Sequence, residues 1–152
     1  MAKTQELYQA SLENGWQETK SFDINKLFLV GFFGGVIPLI VLGRMNARWL
    51  NVSLKKIYPM IVLGIILIIG KFILLRAVLE GSLPIETRDI KFGYKLGCII
   101  MYFYLKYLLK KPFQQHMVTN GETEPLLKTA MYWVVIGIGI ELIVLMISMS
   151  GL

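Results

Sequence analysis

Four predominantly apolar stretches, about residues 27–43, 57–79, 92–109 and 126–149, alternate with polar segments along the chain. Each is near the ~20 residues needed to cross ~30 Å of hydrocarbon. The pattern therefore predicts an all-α fold, a polytopic transmembrane four-helix bundle over residues 26–152, preceded by a polar segment, 1–25. In that segment Leu7, Tyr8, Leu12 and Trp16 share one face of a short helix interrupted by Gly15. It reads either as an interfacial helix with Trp16 at headgroup level or as a loosely ordered tail. Because the first 20 residues are polar, no cleavable signal peptide is expected, and the first span acts as its own insertion signal.

Within the spans, glycine and proline set the local expectations. The first, LFLVGFFGGVIPLIVLG, is short and glycine-rich. Gly31 and Gly35 form a GxxxG face, and Pro38 removes a backbone hydrogen bond, so a kinked helix packed closely on a neighbour is expected. Ser21 and Asp23 are placed to cap it. The second span has Pro59 in its first turn and carries Lys71 and Arg76; Gly81 and Pro84 then break the helix. In the third, ten residues separate Lys95 from Lys106, about 15 Å of helix that snorkelling lysine stems extend, and Pro112 is expected to stop it. His116 reads as a solvated loop residue. After a turn at Asn120-Gly121, Thr123, Glu124 and Pro125 mark the start of the fourth span, which contains Glu141.

Composition supports the same class. The chain has 152 residues, 55% hydrophobic and 17% charged, with a net charge of +6. The basic residues flank apolar segments, so anionic lipid headgroups, not nucleic acid, are the expected partner of the excess charge. A single cysteine, Cys98, and a single histidine, His116, exclude an internal disulfide and any cysteine- or histidine-built metal site. Four spans place both termini on one side. Connections 1 and 3 then carry eight basic residues against seven on the opposite face, with net charges of +6 and zero. This leans toward connections 1 and 3 in the cytoplasm and both termini outside.

Two constellations carry candidate chemistry. Lys71 lies about three residues past the middle of its span and Glu141 about four past the middle of its own. Both helices run in the same direction, which puts the charges at matching depth, some 4 to 6 Å off the midplane. An isolated charge there costs at least ~2.5 to 3.5 kcal/mol, so the two are expected to meet inside the bundle. Gly64, one heptad before Lys71, and Ala130 with Gly137 on the Glu141 face would allow close approach. The pair reads either as a proton- or ion-coupled site with Glu141 titrating, or as a buried ion pair fixing helix register. The second constellation is a cationic stripe, Lys91, Lys95, Cys98, Tyr102 and Lys106, spaced four, three, four and four residues apart. It either faces a water-filled path or holds an anionic headgroup or phosphate, or it is a row of interfacial lysines and tyrosines.

No nucleophile elbow, HExxH or phosphate-binding glycine loop is present, and Glu86, Arg88 and Asp89 are too few for a metal loop. A non-enzymatic protein with neither cofactor nor metal is expected: a small transporter or channel protomer, self-associating, built on Lys71 and Glu141. The competing class is an accessory, regulatory or immunity-type protein that contacts a larger membrane partner through faces such as Gly31/Gly35 and Gly93/Gly97.

The run FFGGVIPLIVLGRMNARWL, with Phe33, Gly34, Gly35 and Pro38 in an FGG-P motif and Asn46 shortly after, resembles the first helix and following turn of small, functionally uncharacterised bacterial membrane proteins. The resemblance implies a bacterial cytoplasmic membrane and transfers no activity or site residue.

Overall fold

The computed structural model describes residues 20–118 and 121–149, and they are mostly helical. A short strand β1 (Ser21–Phe22) leads into a helical turn α1 (Leu27–Leu29), a five-residue π-helical turn (Val30–Gly34) and helix α2 (Val36–Trp49). Three long helices follow: α3 (Tyr58–Leu79), α4 (Thr87–Val118) and, after strand β2 (Thr123–Glu124), α5 (Leu126–Met149).

The segment expected to be one kinked span is instead a helical hairpin. Gly31 lies against Leu39 and the Cys98 carbonyl, and Gly35 against Tyr94 and Glu141; further on, Gly43 lies against Leu105 and Met60. Residues 27–35 thus descend alongside α4 and α5, and α2 climbs back along the same helices. Trp49 returns to Phe22, with ring centroids 4.7 Å apart. The reversal occurs at Gly35, with φ 80° and ψ −160°, a conformation essentially restricted to glycine. Pro38 does not kink a continuing helix. It occupies the first turn of a new one, where the missing N–H costs little.

One polar side chain fastens the two ends of the hairpin. Asn46, fully buried on α2, accepts hydrogen bonds from the Ser21 hydroxyl and the Phe22 N–H, both at 2.9 Å, and donates to the Phe22 carbonyl at 3.2 Å. β1 also pairs in parallel with β2, Ser21 opposite Thr123 and Phe22 opposite Glu124. The beginning of the described chain, the α2–α3 connection and β2 therefore share one end of the bundle, here the near end. The α3–α4 connection and the end of α5 lie at the far end. Because the first apolar stretch reverses, its beginning and its end lie at the same end of the bundle. The polar segment 1–25 lies mostly outside the described residues.

The hairpin is the core. Leu39, Leu42, Val36 and Ala47 of α2 are fully buried, with Met101, Leu105 and Leu109 of α4, Ile57 just before α3 and Met60 of α3 around them. The outer helices are inverted relative to a soluble core. Leu54–Leu79 and Leu126–Ile147 are long and apolar enough to cross a membrane, with mean hydropathies of 2.6 and 2.3, yet only 17% and 11% of their apolar windows are buried. Apolar side chains such as Ile65, Ile69, Ile73, Val135 and Ile143 stand at the outer surface.

The ends of the helices also differ from expectation. α2 runs past residue 43 to Trp49 and stops where Asn51 takes a left-handed φ of 54°, Val52 donating back to the Ala47 carbonyl. α4 continues through Pro112 to Val118, because its last turn is held. His116 is buried, not solvated: its Nε2 pairs with the Glu122 carbonyl at 3.1 Å, and Gly121 N–H donates to the His116 carbonyl.

Asn46→Leu keeps the volume but removes three buried hydrogen bonds and leaves the Phe22 N–H without its side-chain partner, while the Ser21 hydroxyl keeps the Phe22 carbonyl. It is expected to destabilise the fold by roughly 3 kcal/mol, measured by equilibrium denaturation in mild detergent.

Candidate functional site

The site is built where the hairpin turns. Leaving helical geometry at Gly35 frees backbone groups, and the first amide of α2, Val36 N–H, donates to the Tyr94 hydroxyl of α4 at 3.3 Å. That hydroxyl donates in turn to Glu141 Oε1 of α5 at 2.8 Å. The Lys71 ammonium of α3 donates to Glu141 Oε2, and it also sits 4.3 Å from the centroid of the Tyr94 ring. Every helix of the bundle thus contributes one link to a single chain: amide, phenol, carboxylate, ammonium. The carboxylate lies near the N-terminal end of α2, where the helix dipole favours negative charge.

Small residues make this approach possible. A Cβ on Gly34 would lie 2.7 Å from Val134, and one on Gly137 would lie 3.1 Å from Pro38, so α5 presses directly on the turn. On Gly35 a Cβ would meet the Tyr94 hydroxyl at 3.2 Å and Glu141 Oε1 at 3.3 Å. Gly64 faces Ile40 and Val36, and Gly97 faces Leu67, both at less than 3 Å from an added Cβ. Gly93 is different: nothing lies within 4 Å of it, so it packs no neighbour here. Gly31 faces Leu39 of the returning arm and the Cys98 carbonyl of α4, and Gly35 faces Tyr94 of α4 and Glu141 of α5, so both lie inside the bundle.

A cavity of about 240 Å³ opens at the turn, lined by residues 31–35 and by Lys71, Lys91, Tyr94, Lys95, Cys98 and Glu141. The cationic stripe is therefore divided. Lys91, Lys95 and Cys98 face the cavity, and the Lys95 ammonium lies 4.8 Å from the centroid of Phe32. Tyr102 instead is buried against Phe28, ring centroids 5.3 Å apart, and Lys106 lies over Tyr102 on the side away from the turn. Phe28 on the descending arm contacts both Tyr102 and Phe32. Among the described residues no group of three or more His, Cys, Asp and Glu side chains gathers as a metal site.

Tyr94 is the residue of the candidate site that the stripe omits. It stands three residues after Lys91 and four before Cys98, on the same helical face, so its spacing was a usable signal.

Gly35→Ala is expected to destabilise the protein by about 1–3 kcal/mol through its backbone conformation alone, with added crowding at Glu141. Gly93→Ala, in an open helical position, should instead stabilise by about 0.5–1 kcal/mol. Paired melts of the two variants in detergent check the contrast. Comparison with protein-family models, curated proteins and solved structures finds no match to this chain.

Proposed function

We propose that this chain is a multi-pass integral membrane protein with a non-enzymatic role, a small transporter or channel protomer in which Glu141 takes up and releases a proton opposite Lys71. The membrane setting is supported by the outward apolar faces of α3 and α5. A bacterial cytoplasmic membrane is what the FGG-P resemblance implies. In this setting the first apolar stretch is a re-entrant hairpin and α3, α4 and α5 are the spans.

The observation that carries the reading is the broken backbone at Gly35, beside a cavity and an ion pair. Non-helical backbone at membrane depth is tolerated where it is enclosed by protein or lines a cavity, and half-helix ends at such breaks are the ion and substrate sites of secondary transporters. Three features fit that use. The Lys71 and Glu141 side chains are only 14% and 24% exposed, so the carboxylate is shielded yet reachable from the cavity. Tyr94 links the carboxylate to the backbone of the turn, so a change at Glu141 acts on the hairpin. Lys71 supplies the counter-charge that a buried carboxylate requires.

The hairpin also supports an orientation. With Lys20 and Lys26 at the near end, that face carries ten basic residues: these two with Arg44, Arg48, Lys55, Lys56, Lys106, Lys110, Lys111 and Lys128. Four remain toward the far end, Arg76, Arg88, Lys91 and Lys95. The near tie of a four-span topology becomes a clear bias, and the near end is assigned to the cytoplasm.

Proteoliposomes loaded with a pH-sensitive dye, under a valinomycin-imposed potential, test the reading. Wild type should acidify or alkalinise the lumen according to the sign of the potential, and Glu141→Gln should reduce the rate to that of protein-free vesicles while keeping the fold. Wild-type vesicles as tight as protein-free ones would contradict proton transport and favour the accessory class.

A further inference from the structure

The cavity at the turn has an unbalanced charge. Three ammonium groups, Lys71, Lys91 and Lys95, line it, against the single carboxylate of Glu141. Glu141 is already engaged by Lys71 and Tyr94. Lys91 and Lys95 stand one helical turn apart on α4, both exposed, and among the described residues neither is in an ion pair. The Lys95 ammonium lies over the Phe32 ring, and both residues line the cavity. With Tyr94 and Asp89, Lys71 also lines a second cavity, about 420 Å³, between α3 and α4.

We propose that the cavity at the turn binds a phosphate oxyanion, held by Lys91 and Lys95 and completed by Lys71, and that occupancy is linked to protonation of Glu141. This deepens the transport reading by naming a substrate class, and it rests on that reading for the membrane setting. Paired ammonium groups flanking a cavity match a tetrahedral oxyanion, which accepts several charge-assisted hydrogen bonds at once. When the anion enters, Lys71 transfers its hydrogen bond from Glu141 Oε2 to a phosphate oxygen. Glu141, left without its counter-charge and facing an anion, takes a proton from solvent. The groups that face Glu141 are Lys71 from α3, Tyr94, Lys91, Lys95 and Cys98 from α4, and the turn at Gly35 with the Val36 amide behind Tyr94. None of them offers a second carboxylate to take that proton. By linkage, anion binding and protonation of Glu141 then favour each other.

The test uses the full chain in phosphatidylcholine nanodiscs with two probes: radiolabelled inorganic phosphate by equilibrium dialysis, and phosphatidylglycerol titrated into the discs and read by native mass spectrometry. Saturable binding of either probe is expected, weakened by about tenfold or more in K91Q/K95Q and recovered in K91R/K95R. Phosphate alone binding identifies a free anion as the source, and phosphatidylglycerol alone identifies a lipid headgroup. In weakly buffered solution, binding to wild type should take up more protons than binding to Glu141→Gln, which should bind at least as tightly. The proposal is overturned if neither probe binds wild type more tightly than K91Q/K95Q, or if proton uptake is the same in wild type and Glu141→Gln. Anion binding with no proton current even when phosphate is present on both sides of the vesicles would remove the transport reading alone, and a current without anion binding would remove this proposal alone.

Discussion

A backbone that leaves helical geometry inside an apolar bundle must find new partners for the groups it releases, and at Gly35 this constraint organises the whole molecule. The Val36 amide is met by Tyr94, Tyr94 by Glu141, and Glu141 by Lys71. Each link is buried or half-buried, and each comes from a different helix. Were the turn to straighten, the Tyr94 hydroxyl would lose its backbone donor, and Asn46 could no longer reach Ser21 and Phe22 at the other end of the hairpin. Burying an ion pair is not in itself a source of stability. Here its consequence is geometric: it closes α3 and α5 around the turn.

The distribution of residues follows from the same arrangement. The segment with the most glycine and the internal proline, and with buried Asn46, occupies the centre, where neighbouring helices supply partners for irregular backbone. The most uniformly apolar segments, α3 and α5, stand outside, where every backbone group is satisfied within the helix and the side chains face outward. α4 mediates between them. One part of it packs against the hairpin through Met101, Leu105 and Leu109, and its first turns bring Lys91, Tyr94 and Lys95 to the cavity.

The sequence made some of this legible. α3 and α5 begin and end within a residue or so of the apolar stretches that predict them, because long uninterrupted apolar runs leave little choice of boundary. The Lys71–Glu141 contact was legible for a related reason: it depended only on those two helices running in the same direction, which holds whether or not the first stretch crosses. The hairpin was not legible. Hydropathy records that residues 27–43 are apolar but not which way the chain travels, and Pro38 reads as a kink unless Gly35 is recognised as the end of one helix and Pro38 as the first turn of the next. Long-range partners were hidden as well. The role of Asn46 becomes apparent only when β1 lies beside it, and His116 is buried only because residues 121–122 fold back over it. Tyr94 was within reach of spacing alone, since it shares a face with Lys91, Lys95 and Cys98.

The central claim is that the chain reverses at Gly35, and the distance between Asn25 and Asn51 tests it most directly. These residues flank the hairpin and can be spin-labelled as cysteines in a Cys98→Ala background, with the protein in nanodiscs and the separation measured by pulsed electron resonance. A reversed chain places both labels at the same end, at a separation below about 20 Å. A single crossing helix would hold them about 30 Å or more apart, the thickness of the hydrocarbon core, and that result would contradict the hairpin and the site built on it.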